Sequence, residues 1–490
     1  MVKYFTYANP ARSFVTMKLS NSFKSGSSLL LILLFLPLFT KTFASAEGDN
    51  NQHSSDLNRS EFKKSLKYRT FNYFWELADT NTFQIPDRYP TRNFTSIAAT
   101  GFGLAAYITG IENEFITREE GADRVFKTLK WLYEAPQGPS ADNNAGFKGF
   151  YYHFLTYGSG ARFNNVELST IDTGLLMAGI LTCMTYFDKD NTQEKSIRQI
   201  ADKLYRRVEW DWAMNNNKTM SMGWRPENGF IEAQWKGYNE AMILLILAMG
   251  SPTHPIPENS WDKWTETYQW DTFYSYNHVN FSPLFGHQYS HIFIDFRGIQ
   301  DTYMQDKGID YFENSRRATL SNRAYCIANP YDFADYSESI WGLTACDGPK
   351  NMQAKWQDST IRFHTYTARG ASSRRITDDG TITPTAAGGS IPFAPEVCLD
   401  ALYAMYQNYG DQLYSEYGFL DSFNPTYGKL KHRESWINDD YIGIDQGPIL
   451  LQLENHQTGL IWDIIRKNKY IRQGLIKAGF RGGWLNNQSE

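Results

Sequence analysis

Six times along the chain a short polar, aromatic or acidic cluster runs straight into an apolar stretch with helical spacing. The starts are Thr95-Ser-Ile-Ala-Ala-Thr-Gly, Ser169-Thr-Ile-Asp172-Thr-Gly, Gly237-Tyr-Asn-Glu240-Ala-Met, Tyr336-Ser-Glu338-Ser-Ile-Trp, Ile391-Pro-Phe-Ala-Pro-Glu396 and Gly443-Ile-Asp445-Gln-Gly-Pro. A helix that is apolar nearly all round has to be buried on all sides. Six of them with polar tips predict an inner ring whose tips gather around one mouth. Between them lie amphipathic stretches, one starting at Ser60 and others at residues 118–135, 196–208, 311–327 and 459–478. Charge mixed with periodic apolar residues marks an outer layer with one solvated face. The expectation is all-α: an (α/α)6 toroid of six inner and six outer helices, with cleft walls built from the non-helical stretches 251–297 and 347–394.

At 490 residues the chain exceeds an average domain, but a closed ring can hold it as one core. The formal net charge is -5 with no block of like charge, which argues against nucleic acid or an anionic membrane as partner. The N-terminus reads as a secretory signal over residues 1–46. Lys18 and Lys24 supply a positive region, Leu29 to Phe39 an apolar one, and Ala44-Ser-Ala46 a cleavage site before Glu47. With no Cys near that site there is no lipid anchor, so a periplasmic or secreted protein without membrane insertion is expected. Residues 47–58 are polar and read as disordered, and residues 59–490 as a single catalytic domain. No interface pattern is visible, so a monomer is expected. Among the four cysteines, Cys183 and Cys398 fall in apolar runs, while Cys326 and Cys346 are open to pairing in an oxidising compartment. Their spacings match no metal motif, and neither a metal nor a cofactor is expected.

Aromatic residues make up 16% of the chain, and aromatic faces with polar rims suit sugar rings. Cleaving a glycosidic bond needs two carboxyl groups across a sugar-sized gap, one protonated and one ionised. Burial raises a carboxyl pKa and a helix N-terminus lowers it. Glu240, between Trp235 and Tyr238 and the most apolar run in the chain, is the candidate general acid; favouring a helix dipole is its plainer role. Asp445 and Asp172 are candidates for the base, and helix capping is the competing role for each. Glu338 and Glu396 form a second tier. The stretch Phe281-Ser-Pro-Leu-Phe-Gly-His287-Gln-Tyr-Ser-His291-Ile-Phe-Ile-Asp295-Phe-Arg297 pairs two histidines on one helix face with an Asp–Arg pair. With no acidic third ligand at a metal spacing, hydrogen bonds to sugar hydroxyls are the functional reading. The substrate-binding candidates are therefore Trp235, Tyr238, His287, His291, Arg297, Trp341, Phe393, Glu396 and Gln446.

That stretch, together with Asp-Asp-Gly-Thr-Ile, Pro-Phe-Ala-Pro-Glu and Gly-Ile-Asp-Gln-Gly-Pro-Ile-Leu, resembles the glycoamylase-like proteins, and among them glycoside hydrolase family 144, the endo-β-1,2-glucanases. The resemblance runs from about Ser60 to Gly479. It implies the toroid, an exported enzyme, and linear β-1,2-glucan cut internally to short oligosaccharides by an inverting route. It places Glu240 and Asp172 in the cleft and Asp445 in the C-terminal motif. It also implies that the acid's proton can pass through a substrate hydroxyl. The segment Thr385-Ala-Ala-Gly388-Gly389-Ser390 has a glycine where the pattern has a larger residue, which would alter a subsite. Other readings are an exo-acting or transglycosylating relative, a polysaccharide lyase using Tyr289, His287 or His291 as base, and a glycan-binding protein without catalysis. The acidic tips favour hydrolysis over the last two.

Overall fold

The structure, a computed structural model, describes residues 57–486. The signal segment and residues 47–56 lie outside the described residues. Leu57 and Asn58 belong to the fold: the Leu57 amide donates to the Tyr406 hydroxyl, and Asn58 caps the first helix in a capping box with Glu61.

Long helices dominate. The mostly buried ones are Ile97–Glu112, Thr170–Tyr186, Met242–Gly250 and Gly443–Gln457, and every residue of Met242–Gly250 is buried. Ile97–Glu112 packs against both Thr170–Tyr186 and Gly443–Gln457, and Thr170–Tyr186 packs against Met242–Gly250. The amphipathic helices Arg59–Glu76, Arg118–Glu134, Thr192–Arg206 and Lys469–Lys477 lie outside these. Each starts where a side chain satisfies free backbone N–H groups, as Thr117 and Asn191 do. The 459–478 stretch is broken in two by Asn468, which caps the second piece.

Two of the six expected apolar helices differ. Residues 336–344 form no helix, because the Ser337 hydroxyl accepts the Ser339 and Ile340 amides in a turn and Gly342 sits at φ 140°. Pro395–Leu413 is helical but buries only one face. Two five-residue helices, Tyr289–Phe293 and Pro384–Gly388, are both packed on Gly443–Gln457. The all-α expectation also omits a set of two- to five-residue strands. The stretches 251–297 and 347–394 carry antiparallel pairs such as Met352–Trp356 with Ser359–Phe363 and Ala345–Asp347 with Tyr366–Ala368. Arg88–Tyr89 pairs with Tyr441–Ile442, joining the two ends of the chain. All four cysteines are buried free thiols, so Cys326 and Cys346 are not bridged. Among the described residues no helix is long and apolar enough to cross a membrane.

Candidate active site

The three catalytic candidates converge. Glu240 precedes the Met242 helix, Asp172 lies in the first turn of the Thr170 helix, and Asp445 in the first turn of the Gly443 helix. Tyr289, at the start of its own short helix, feels the charges of Asp445, Glu240 and Asp172 together, which places the three carboxyls around one tyrosine. Neither aspartate is a cap: Ser169 caps the Thr170 helix, and no side chain caps the Gly443 helix.

Glu240 Oε2 is buried with no hydrogen-bond partner among the described residues. Burial, with a further push from the nearby Asp172 charge, raises its pKa to about 7. That is the state a general acid needs near neutrality. Asp172 accepts the Ser169 hydroxyl, and His153 Nε2 stands 3.7 Å from its other oxygen. Asp445 is buried against Asp421, and the two carboxyls share a hydrogen bond. Burial and the Asp421 charge push Asp445 well up, while Asp421 sits at about 6. The pair therefore holds one shared proton and one negative charge. Asp421 is held by the Asp347 amide (2.9 Å) and by Asn438 Nδ2 (2.8 Å). Arg88 binds Asp347 (2.8 Å) and Asp87 (3.1 Å), capping the acidic group with one cation.

Most substrate-binding candidates lie elsewhere. Trp235 is buried at the site's edge, its indole donating to Thr170 Oγ1 (2.9 Å). Tyr238 is core, packed among Trp264, Tyr268, Tyr311 and His287. His287 and His291 have no exposed surface; they bond to the Phe281 carbonyl (3.1 Å) and the Ser315 hydroxyl (3.1 Å). Burial pushes both far down, His291 to about 3, so neither serves a sugar or a lyase step. Trp341 and Gln446 are equally enclosed, and Phe393 packs on His291. Arg297 does pair with Asp295 (2.7 Å), but it lies over Trp462, beyond the C-terminal end of the Gly443 helix. That helix spans 15 residues, about 22 Å, so Arg297 is on the opposite face from Asp445. Glu396 is exposed on an outer helix, and Glu338 is exposed on a turn. Gly388 opens no subsite: a Cβ there would meet Ile449 Cγ1 at 2.6 Å, so the glycine lets two helices close.

The structure adds groups that no sequence pattern flagged: Asp87, Arg88, His153, Glu167, Asp347, Tyr366 and Asp421. They sit on turns and two- or three-residue strands, too short for periodicity to mark. Tyr366 is 44% exposed and lies directly across the ladder from Asp347, beside Asp445. It offers an exposed aromatic ring near the carboxylates. Among the described residues no three or more His, Cys, Asp or Glu side chains are placed to hold a metal ion.

A helix-rich scaffold gathering a glutamic acid pushed up to about 7 and an aspartate pair that shares a proton defines a class of acid–base proteins. The Glycoamylase family model, described as "Putative glucoamylase", matches residues 232–469. A crystal structure under the same description from Bacteroides uniformis is 33% identical, with TM-score 0.76, covering 88% of this chain and 99% of that one. An endo-β-1,2-glucanase from Chitinophaga pinensis, solved with sophorotriose and glucose, is 28% identical with TM-score 0.76, covering 87% of this chain and 100% of that one. An exo β-1,2-glucooligosaccharide sophorohydrolase (non-reducing end) from Parabacteroides distasonis is 31% identical over 443 residues, 83% of this chain; the chain spans 56% of that relative's length. The chain belongs to the glycoamylase-like family.

Proposed function

We propose that this protein is an exported, monomeric glycoside hydrolase that cuts β-1,2-glucan internally to short oligosaccharides, with inversion, in an (α/α)6 toroid. The observation that carries this reading is Glu240: a carboxyl at about 7, with an unpartnered buried oxygen, gathered with Asp172 and Asp445 around Tyr289. The Chitinophaga relative's substrate, and matches of like extent on both chains, support the linkage and the internal mode. The alternation of buried and amphipathic helices supports the toroid.

In this mechanism Glu240 gives its proton to the leaving glycosidic oxygen, through a substrate hydroxyl. Water attacks the anomeric carbon from the other face and loses its proton to Asp445, whose shared charge with Asp421 provides the base. Asp172 acts on the acid, since its charge adds to burial in pushing Glu240 up. A second reading, release of disaccharide from a chain end, is favoured by the name of the Parabacteroides relative.

Size-resolved products of linear β-1,2-glucan, with starch and β-1,3-glucan alongside, test both. A spread of short β-1,2 oligosaccharides supports internal cutting, and disaccharide alone from the first minutes supports the second reading. No cleavage of β-1,2-glucan overturns both. Export predicts a mature N-terminus at Glu47 in the periplasm or medium.

A further inference from the structure

His153 lies between two carboxylates. Its Nδ1 is 3.0 Å from Glu167 Oε1 and its Nε2 is 3.7 Å from Asp172 Oδ1. Backbone pairing fixes the residue, because the His153 amide donates to the Glu167 carbonyl (2.9 Å) and the Ile97 amide donates to the His153 carbonyl. The ring lies on Phe154 at 4.0 Å. Arg225 holds the far side of Glu167 at 3.0 Å. The result is a line of alternating charge: Arg225, Glu167, His153, Asp172, ending beside Glu240.

A neutral imidazole has one N–H, so one of the two carboxylates would face a ring lone pair. With acids at both nitrogens, the doubly protonated ring is the form that satisfies the geometry. We infer that His153 is a positioning residue of this site, an imidazolium anchored by Glu167 that holds Asp172 oriented beside Glu240. The inference rests on the proposed role of Glu240. The facing groups agree with it. Glu167, Asp172 and Asp87 all raise the His153 pKa against its burial, to about 9, and Glu167 is drawn down to about 2.

The role is distinct from that of a core histidine. His287 and His291 bond neutral oxygens and are pushed down by burial, whereas His153 keeps 29% of its side chain exposed and is pushed up. Removing its charge takes a cation from beside Asp172 and leaves Glu167 with Arg225 alone, so Glu240 holds its proton to higher pH. The orientation of Asp172 is lost as well.

The test is kinetics on β-1,2-glucan for wild type, Glu240→Gln, His153→Gln and Glu167→Gln across pH 4 to 9. The expected result for His153→Gln is a kcat loss of roughly tenfold to hundredfold, part of what general acid catalysis contributes. KM should stay within about threefold, and the alkaline limb of kcat should move up by about one pH unit. Glu167→Gln, which keeps the shape of the contact, should lower kcat in the same direction and serves if His153→Gln does not fold. Wild-type kcat in the folded variants, or a loss with an unmoved alkaline limb, overturns the inference. Full activity in Glu240→Gln overturns the proposed function instead, so the two failures are separable.

Discussion

A carboxyl pushed up to about 7 changes charge near neutrality, so Glu240 couples activity to stability. As an acid it works protonated, and kcat should fall as pH rises through about 7. Glu240→Gln should lower kcat by about 10² to 10⁴, measured on β-1,2-glucan. The stability effect follows pH in the same direction. The folded protein binds the Glu240 proton more tightly than the unfolded chain, so its favourable contribution is present below the ordinary carboxylate range and lost as pH rises through about 7. Glu240→Gln should therefore match wild type near pH 4 and exceed it by up to about 3 kcal/mol near pH 8, read by denaturant unfolding. Equal stability difference at both pH values would refute the burial of this carboxyl. Tyr366 carries a second expectation. An exposed ring beside Asp445 offers a sugar-stacking face, so Tyr366→Ala should raise KM about tenfold while Tyr366→Trp keeps it near wild type. Glu240 could be found in the sequence because a lone acid before a long apolar run is conspicuous. His153 and Asp421 could not, since nothing in Tyr-His-Phe or Leu-Asp-Ser announces a site until distant segments meet.

Helices are where sequence and structure agree best, and the reason is length. Over sixteen or seventeen residues the absence of a polar face is unambiguous, as in Ile97–Glu112 and Thr170–Tyr186. A five-residue buried helix such as Tyr289–Phe293 has barely one turn, so periodicity cannot reveal it. The run at Ile340 misleads in the other direction, because it is apolar yet is ended by Gly342. The crossing of the two long buried helices depends on small residues. A Cβ on Gly179 would lie 2.1 Å from the Gly101 carbonyl oxygen, and one on Gly101 would lie 2.4 Å from the Leu175 carbonyl oxygen. These obstacles are backbone, which cannot rotate away. Gly179→Ala should therefore cost about 1–3 kcal/mol despite alanine's better helix propensity, visible as a lower Tm. A neutral or raised Tm would show that the helices can separate at little cost.

At the scale of the molecule, the first helix meets the last of the long buried ones. Arg59–Glu76 packs on Gly443–Gln457, and the buried Lys67 Nζ reaches Glu454 at 2.6 Å, with Asn113 from a third helix on the same carboxylate. The hydrophobic interior falls into two clusters, and both of these helices contribute to each. Phe62 and Leu66 lie in one and Phe71 and Phe74 in the other, while Ile449 and Leu453 face the first and Leu450 and Leu451 the second. Neither cluster can lose its seam without exposing the other. Removing one partner of a buried ion pair leaves a charge without its counter-ion, so Lys67→Met should cost about 3–5 kcal/mol. Because the pair sits on the shared seam, that loss should lower a single calorimetric transition with matching calorimetric and van't Hoff enthalpies. Two separated transitions, with only one moved by Lys67→Met, would mean that the clusters fold independently and that the cleft between the helix tips is assembled from two bodies.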